Sequence, residues 1–432
     1  MRIKIGEPYI EESGDFRRLK ARISIPTEAA EKWLDYSKTI YSQWRLEEDW
    51  PPECWKEPDF SLWFGIENKW CNAFLTDRAD GHVVAMLYFA MITGADIESE
   101  APVSARLLYN INFNIIPILC NEHTGFRRIS VIARPAGTPP RPSEGFVGTG
   151  MTCGIDSFHT LLKHTSADMQ PEFRLTHLAY LKHGSIFHPG ERKKTLPPET
   201  FNRETDALYR QNLENARKVA DACGLGIVYI ESNMDRDIYR GAYGFTAVYR
   251  NCALILATQG LWKTYFNSSS GFSLDWYNPS LRTGSEGTEL TLLPGFSNGF
   301  VDFLIGSGDC TRFQKLKDLI DFPLAQKYLD VCWQFEHCGR CGKCYRTLIS
   351  LEILGALDKF REVFDIDRYR TKDRNDAFAY LFAHRHSVAM KEVWEQTKAK
   401  GIYIPSRSYL IWGRKRFVEI AVRLRNRICH RL

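Results

Sequence analysis

The densest chemistry in this sequence is a run of cysteines. Cys332, Cys338, Cys341 and Cys344 are separated by five, two and two residues. Two-residue gaps let successive thiolates turn toward one ion, and four sulfurs close a tetrahedral shell. A closed shell leaves no position for water, so the expected occupant is a structural zinc ion, Zn²⁺. An iron–sulfur cluster is the other occupant that four thiolates accept. His337 is a substitute ligand by type, but four cysteines suffice. The remaining eight (Cys54, Cys71, Cys120, Cys153, Cys223, Cys252, Cys310, Cys429) are scattered. The start Met1-Arg2-Ile3-Lys4-Ile5 reads as a strand and lacks a signal-peptide core, so the expected setting is the reducing cytoplasm.

A second stretch could handle phosphate. It runs Gly148-Thr149-Gly150-Met151-Thr152-Cys153-Gly154-Ile155-Asp156-Ser157-Phe158. Small and β-prone residues precede it, and the helical pattern Phe158–Lys163 follows. Strand, glycine-containing turn and helix start together present backbone N–H groups to an anion. Asp156 and Ser157 suit a helix cap or a Mg²⁺-bound phosphate. No Gly-Lys-Ser/Thr follows, so this is not a Walker A loop. Taken without context, the stretch is also compatible with an ordinary strand-to-helix turn.

The elements that must position these residues follow from periodicity. Residues 1–140 read as an α+β amino-terminal domain. Strands are expected at Ile3–Ile10, Leu19–Ile25, Ser61–Ile66, His82–Phe89 and Arg128–Ala133, with helices at Ala29–Trp44 and Val103–Cys120. Trp44, Trp50, Trp55, Trp63 and Trp70 read as core or interface. The proline-rich run Arg134–Pro142 reads as a linker. Residues 141–330 change to alternating strand and helix, which argues for an open parallel sheet. Strands are expected at Leu175–Leu181, Ile227–Ile230 and Thr264–Phe266, and helices at Glu204–Cys223 and Tyr243–Leu261. A polar excursion holds Pro189, Pro197 and Pro198. Ligands in such sheets sit beyond the carboxyl ends of strands. That gathers the 148–157 loop, Lys182-His183, Glu231-Ser232-Asn233 and Ser268-Ser269-Ser270 around one crevice. Residues 331–432 carry the cysteines and a helical tail, with helices at Thr347–Leu357 and Val388–Lys398.

The loop resembles the pyrophosphatase loop of the PP-loop ATPases, in the adenine nucleotide alpha-hydrolase superfamily. Their signature Ser-Gly-Gly-x-Asp-Ser matches Thr152-Cys153-Gly154-Ile155-Asp156-Ser157. Thr152 keeps the hydroxyl, whereas Cys153 adds a side chain where glycine is usual. That substitution is either a subfamily variant or a damaged loop. A PP-loop followed by Cys-Gly-x-Cys-x-x-Cys is similar to the 7-cyano-7-deazaguanine synthase (QueC-like) branch. Cys332 matches its upstream cysteine and Arg346 the arginine after the last. Thr311-Arg312-Phe313-Gln314-Lys315 resembles an element of longer QueC-like proteins, which also carry an amino-terminal extension. The resemblance covers residues 145–350.

It implies a HUP/PP-loop, Rossmann-like α/β fold and an AMP-forming ATP-dependent ligase. ATP·Mg²⁺ binds the loop, a substrate carboxylate or amide oxygen attacks the α-phosphate, and pyrophosphate leaves. Thr152, Cys153, Gly154, Ile155, Asp156 and Ser157 are then the pyrophosphate and Mg²⁺ cradle. Tyr180, Leu181 and Lys182 edge the adenine, and Ser268, Ser269 and Arg312 face phosphate or substrate. Asp156, Ser157 and Arg312 carry the catalytic roles. Arg346 is either a further contact or the partner of an acid. Lys182 and His183 are alternatively solvated loop residues, and Cys153 alternatively a nucleophile. The acceptor is a small molecule (a deazapurine or a sugar) or a protein terminus. The alternatives are a catalytically silent nucleotide-binding module and a sugar amidotransferase-like enzyme. A homodimer is compatible with all of them.

Composition fits a folded globular chain: 432 residues, 44% hydrophobic and 25% charged. No run of 18 apolar residues suggests a transmembrane helix. A net charge of +5 does not by itself call for nucleic acid. The charge is uneven, however. Arg414, Lys415, Arg416, Arg423, Arg425, Arg427 and Arg431 face one acid, Glu419, and Phe417, Ile420, Ala421, Leu424 and Ile428 fall at helical spacing. This basic amphipathic tail is either docked on the body or a contact for a membrane surface, RNA or an acidic partner.

Overall fold

The computed structural model describes residues 1–41, 60–122, 124–139, 141–183, 198–239, 243–269, 285–332, 337–414 and 416–417. Trp44, Trp50, Trp55, Cys54, Pro189, Pro197, Ser270, Cys429 and the stretch 418–432 lie outside them. The chain divides into two compact units: Met1–Thr152 with Asp156–Thr311, and Cys153–Ile155 with Arg312–Leu432.

The first unit is built on one large mixed sheet. In chain order its strands are β1 (Arg2–Ile5), β2 (Tyr9–Ser13), β3 (Phe16–Ser24), β4 (Phe60–Glu67), β5 (Asp96–Ser99), then, after a two-residue β6 (Val103–Ser104), β7 (Val131–Ile132). A short β8 (Pro135–Ala136) pairs with β6. The sheet resumes with β9 (Phe146–Gly150), β10 (His177–Lys182), β11 (Gly226–Ser232), β12 (Trp262–Ser268) and β13 (Asp302–Gly306). The spatial order is β13-β12-β9-β10-β11-β4-β3-β1-β5-β7, with β2 on β3. The five strands from β13 to β11 are parallel. Chain order reverses at β9, which makes the β9/β12 boundary the topological switch point.

Two expectations change here. The strands of 141–330 are parallel as expected, but the sheet they belong to is mixed, because β4 runs antiparallel to β11. For the same reason residues 1–140 are not a separate domain: their strands continue the sheet. A single buried core joins Ile3, Leu62 and Met86 with Ile230, Leu254 and Phe303. Asn233 extends the seam. Its side chain accepts from the Trp63 N–H at 2.9 Å and donates to the Ser61 carbonyl at 2.8 Å. The 134–142 run is no free linker either, since Arg141 donates to the carbonyls of Asn72 and Phe74.

Helices cover the sheet: α1 (Thr27–Tyr41), α2 (Asp80–Thr93), α3 (Ala105–Asn110), α4 (Ile116–Glu122), α5 (Ile155–Thr165), α6 (Pro198–Ala222), α7 (Tyr243–Ala257) and α8 (Glu289–Phe296). The segment read as a strand at 82–89 is the middle of α2. Every residue of α2 is buried, so its sequence lacks the polar face that marks an amphipathic helix. It packs on α7, and Gly81 permits the approach. No helix among the described residues is long and apolar enough to cross a membrane.

The second unit is helical: α9 (Arg312–Asp318), α10 (Pro323–Tyr328), α11 (Gly342–Ile353), α12 (Ile366–Arg368), α13 (Arg374–His384) and α14 (Val388–Ala399). Helix α11 packs on both α13 and α14.

A Cβ at Gly81 would lie 2.8–2.9 Å from the Ala253 carbonyl and the Ala257 backbone. Gly81→Ala should therefore destabilise by about 1–3 kcal/mol through overpacking, although alanine is the better helix former. Denaturant unfolding measures this. A stabilised variant would disprove the close crossing of α2 and α7.

Candidate functional site

The four cysteines converge. All four Sγ atoms lie within 4.8 Å of one another, with Cys332–Cys338 at 3.4 Å and Cys341–Cys344 at 3.5 Å. A tetrahedral ion with bonds near 2.3 Å needs sulfurs roughly 3.8 Å apart, so the set fits one metal ion. A cluster of several irons would hold its sulfurs farther apart.

Local sequence explains the convergence. Gly339 takes φ +64°, the left-handed turn that lets the chain double back between Cys338 and Cys341. That turn aims the N–H groups of Arg340 and Cys341 at Cys338 Sγ, at 3.4 and 3.3 Å. Cys341 occupies the N-cap position of α11 and Cys344 its first turn. Hydrogen bonding from the Cys332 thiol holds Cys338 down at about 6 and Cys341 lower still. Cys332 and Cys344 are driven up, mainly by hydrogen bonding with neighbouring thiols. His337 is not in the set; it lies 3.9 Å from Asp330 and edge-on to Phe364.

The loop has the expected strand–turn–helix form, β9 to α5, and leaves the sheet at the switch point. Cys153 has φ +56°. It therefore adopts the conformation that glycine takes without cost. Its side chain is buried, and burial pushes the thiol up to about 12, with the charge of Asp330 adding to the effect. A thiol so far from ionising is no nucleophile at neutral pH. The Cys153 carbonyl accepts from the Asp330 N–H at 2.8 Å. Thr152 is exposed, Gly154 and Asp156 half-buried, Ile155 and Ser157 buried.

Other expected residues divide between the units. In the first, Ser268 closes β12, and its hydroxyl is 3.1 Å from that of Thr149, which donates to the Phe266 carbonyl. Ser269 donates its N–H to the Gly306 carbonyl. Tyr180 and Leu181 are buried, with Tyr180 stacked on Tyr229 and Leu181 in the main core, so only their backbone remains to edge a base. Lys182 pairs with Asp206 at 2.8 Å and lies 3.8 Å from Glu231. In the second unit, Ile155, Arg312, Phe313, Arg346 and Glu392 help line a cleft of about 20 Å³, room for a water-sized group. Arg312 and Arg346 thus share one cleft with Ile155.

The sequence reading missed a buried polar chain beneath the strand ends. Glu289 accepts from the Asn267 amide at 3.2 Å, Asn267 Oδ1 accepts from Asn251 at 2.9 Å, and Asn251 Oδ1 meets His183 Nε2 at 2.6 Å. A carboxylate can only accept, so each amide is oriented in turn and His183 must carry its proton on Nε2. His183 is therefore a buried residue, not a solvated one. Burial, reinforced by the charge of Arg250, lowers it to about 4. Arg250 binds the His183 carbonyl and Asp235. A hint was available, since Lys182-His183 and Asn267-Ser268 both close strands beside the switch point.

Cys341→Ser should remove the bound metal, from about one ion per chain to a small fraction, by elemental analysis, and lower the thermal midpoint. Retention of a full metal equivalent would overturn the assignment of these ligands. Histidine burial sets a pH dependence. His183 at about 4 and His82, lowered by burial to about 3, stay neutral in the fold while the unfolded chain protonates them near 6.5. Stability should fall as pH drops from 6.5 toward 4, and His183→Gln should reduce that slope near pH 5 by about 1.4 kcal/mol per pH unit. An unchanged slope would mean that His183 is protonated in the fold.

Compared with family models, with curated proteins and with solved structures, the chain matches none of them.

Proposed function

We propose that the chain is an ATP-dependent, AMP-forming ligase of the PP-loop type, similar to the QueC-like branch. The observation that carries this reading is the left-handed backbone at Cys153. The signature places glycine there, and a cysteine in a backbone region that glycine enters without strain is compatible with the turn, which favours a subfamily variant over a damaged loop. The position of the loop supports it too, at the reversal point of a parallel sheet, where nucleotides bind in doubly wound folds. The four-cysteine group of the same chain adds the second half of the resemblance.

In this reading the first turn of α5 meets the pyrophosphate of ATP, with Asp156 and Ser157 at the Mg²⁺-bound phosphates. Mg²⁺ would neutralise charge on the leaving pyrophosphate. Thr149 and Ser268 order the neighbouring strand ends. Arg312 and Arg346 are the planar cations that this reading assigns to a phosphate or to an acceptor carboxylate before its adenylation. The metal at Cys332, Cys338, Cys341 and Cys344, zinc in this reading, is structural, because no ligand position is left open. The acceptor is a carboxylate or amide on a small molecule or a protein terminus.

The test follows labelled ATP with Mg²⁺ and a panel of carboxylate acceptors, 7-carboxy-7-deazaguanine included. Wild type should give AMP and pyrophosphate. Asp156→Ala and Arg312→Ala should each slow this by about 10²–10³, the loss of one stabiliser of developing charge. ADP and phosphate as products would refute the mechanism. ATP binding without turnover would favour the silent nucleotide-binding module.

A further inference from the structure

The segment after α14 is not used by the proposed reaction, and its charge sets it apart. Residues 401–432 carry eight Lys or Arg and one acid, a net +7, whereas the whole chain is +5, so residues 1–400 sum to −2. The described part, to residue 417, is helical from 406. One side of that helix is docked on the second unit: Ser408 is fully buried, and Tyr409 and Trp412 meet Phe382 edge-on at 5.0 and 4.9 Å. At about 100° per residue, Leu410 and Phe417 fall within ~20° of each other and roughly opposite Ser408. Leu410 is 74% exposed and Phe417 73%, and Tyr403, just upstream, is 71% exposed. Arg407 and Arg414, both exposed, flank this apolar side. In the sequence Ala421, Leu424 and Ile428 continue the same spacing, with Arg423, Arg425, Arg427 and Arg431 between and after them.

We infer that this face binds an anionic lipid surface. Leucine and phenylalanine side chains about three-quarters exposed leave apolar area in water, and a bilayer interface is the partner that takes apolar side chains and arginines on one plane. RNA would satisfy the arginines and stack on Tyr403 or Phe417, but it offers no counterpart for Leu410 or, further along the sequence, for Leu424 and Ile428. A second copy is disfavoured because two segments of +7 repel. Residues 1–400 sum to −2, so the positive excess of the chain lies in this segment. The inference is independent of the proposed ligase activity.

The test is flotation of the full-length, metal-loaded protein with vesicles of phosphatidylcholine, alone or with one quarter phosphatidylglycerol. Binding should require the anionic lipid and weaken in high salt. Arg407→Gln with Arg414→Gln should lower partitioning about 30-fold, near fivefold per charge. Leu410→Ser with Phe417→Ser should lower it about tenfold or more. Metal content and thermal midpoint, unchanged in both variants, exclude misfolding. Equal flotation with neutral vesicles, insensitivity to both pairs of substitutions, or capture of a single-stranded RNA oligonucleotide with no vesicle binding would each overturn the inference.

Discussion

The antiparallel seam between β4 and β11 is the constraint on which the first unit rests. Ile66 lies opposite Ile230, Gly65 opposite Glu231 and Phe64 opposite Ser232. This pairing makes one sheet of two halves, and the wholly buried α2 depends on it. An apolar helix with no wet face needs a core on all sides. Here the core is assembled from residues far apart in the chain, Met86 and Phe89 with Tyr239 and Leu254. The Asn233 amide, acting like one more strand residue, holds the end of the seam.

The same seam fixes the neighbourhood of the loop. Strand β11 supports β10, and β10 supports β9, whose end launches the turn at Cys153. Below those ends, the chain from Glu289 to His183 gives each buried amide one orientation. Its members come from β12, α7 and the ends of two other elements. The strand ends near the switch point are thus tied to each other by more than the ladder.

What could be read in the sequence was local. The cysteine spacing announced its own geometry because two-residue gaps fix which way the thiols turn. The β9–α5 turn was legible because small residues, a glycine and an Asp-Ser pair occur within a dozen positions. Helix α2 was misread because His82–Phe89 is apolar on every side, and periodicity then has nothing to register. The partition at residue 140 failed for a related reason. Nothing in Phe60–Glu67 says that its partner lies near residue 230, and a proline-rich stretch looks the same whether free or pinned by Arg141. Asn267 and Glu289 are residue types normally found in water, so their burial was invisible. The conformation of Cys153 was equally hidden, since cysteine seldom takes a positive φ.

The continuity of the sheet also limits how this protein can be divided. A cut near Pro142, where composition invites one, would strip β4 and β11 of each other. Each fragment would then carry an unpaired strand edge with an apolar face beside it. Such edges recruit further strands, so the pieces would tend toward swapped or aggregated assemblies. Residues 1–140 and 141–311 therefore form one folding unit.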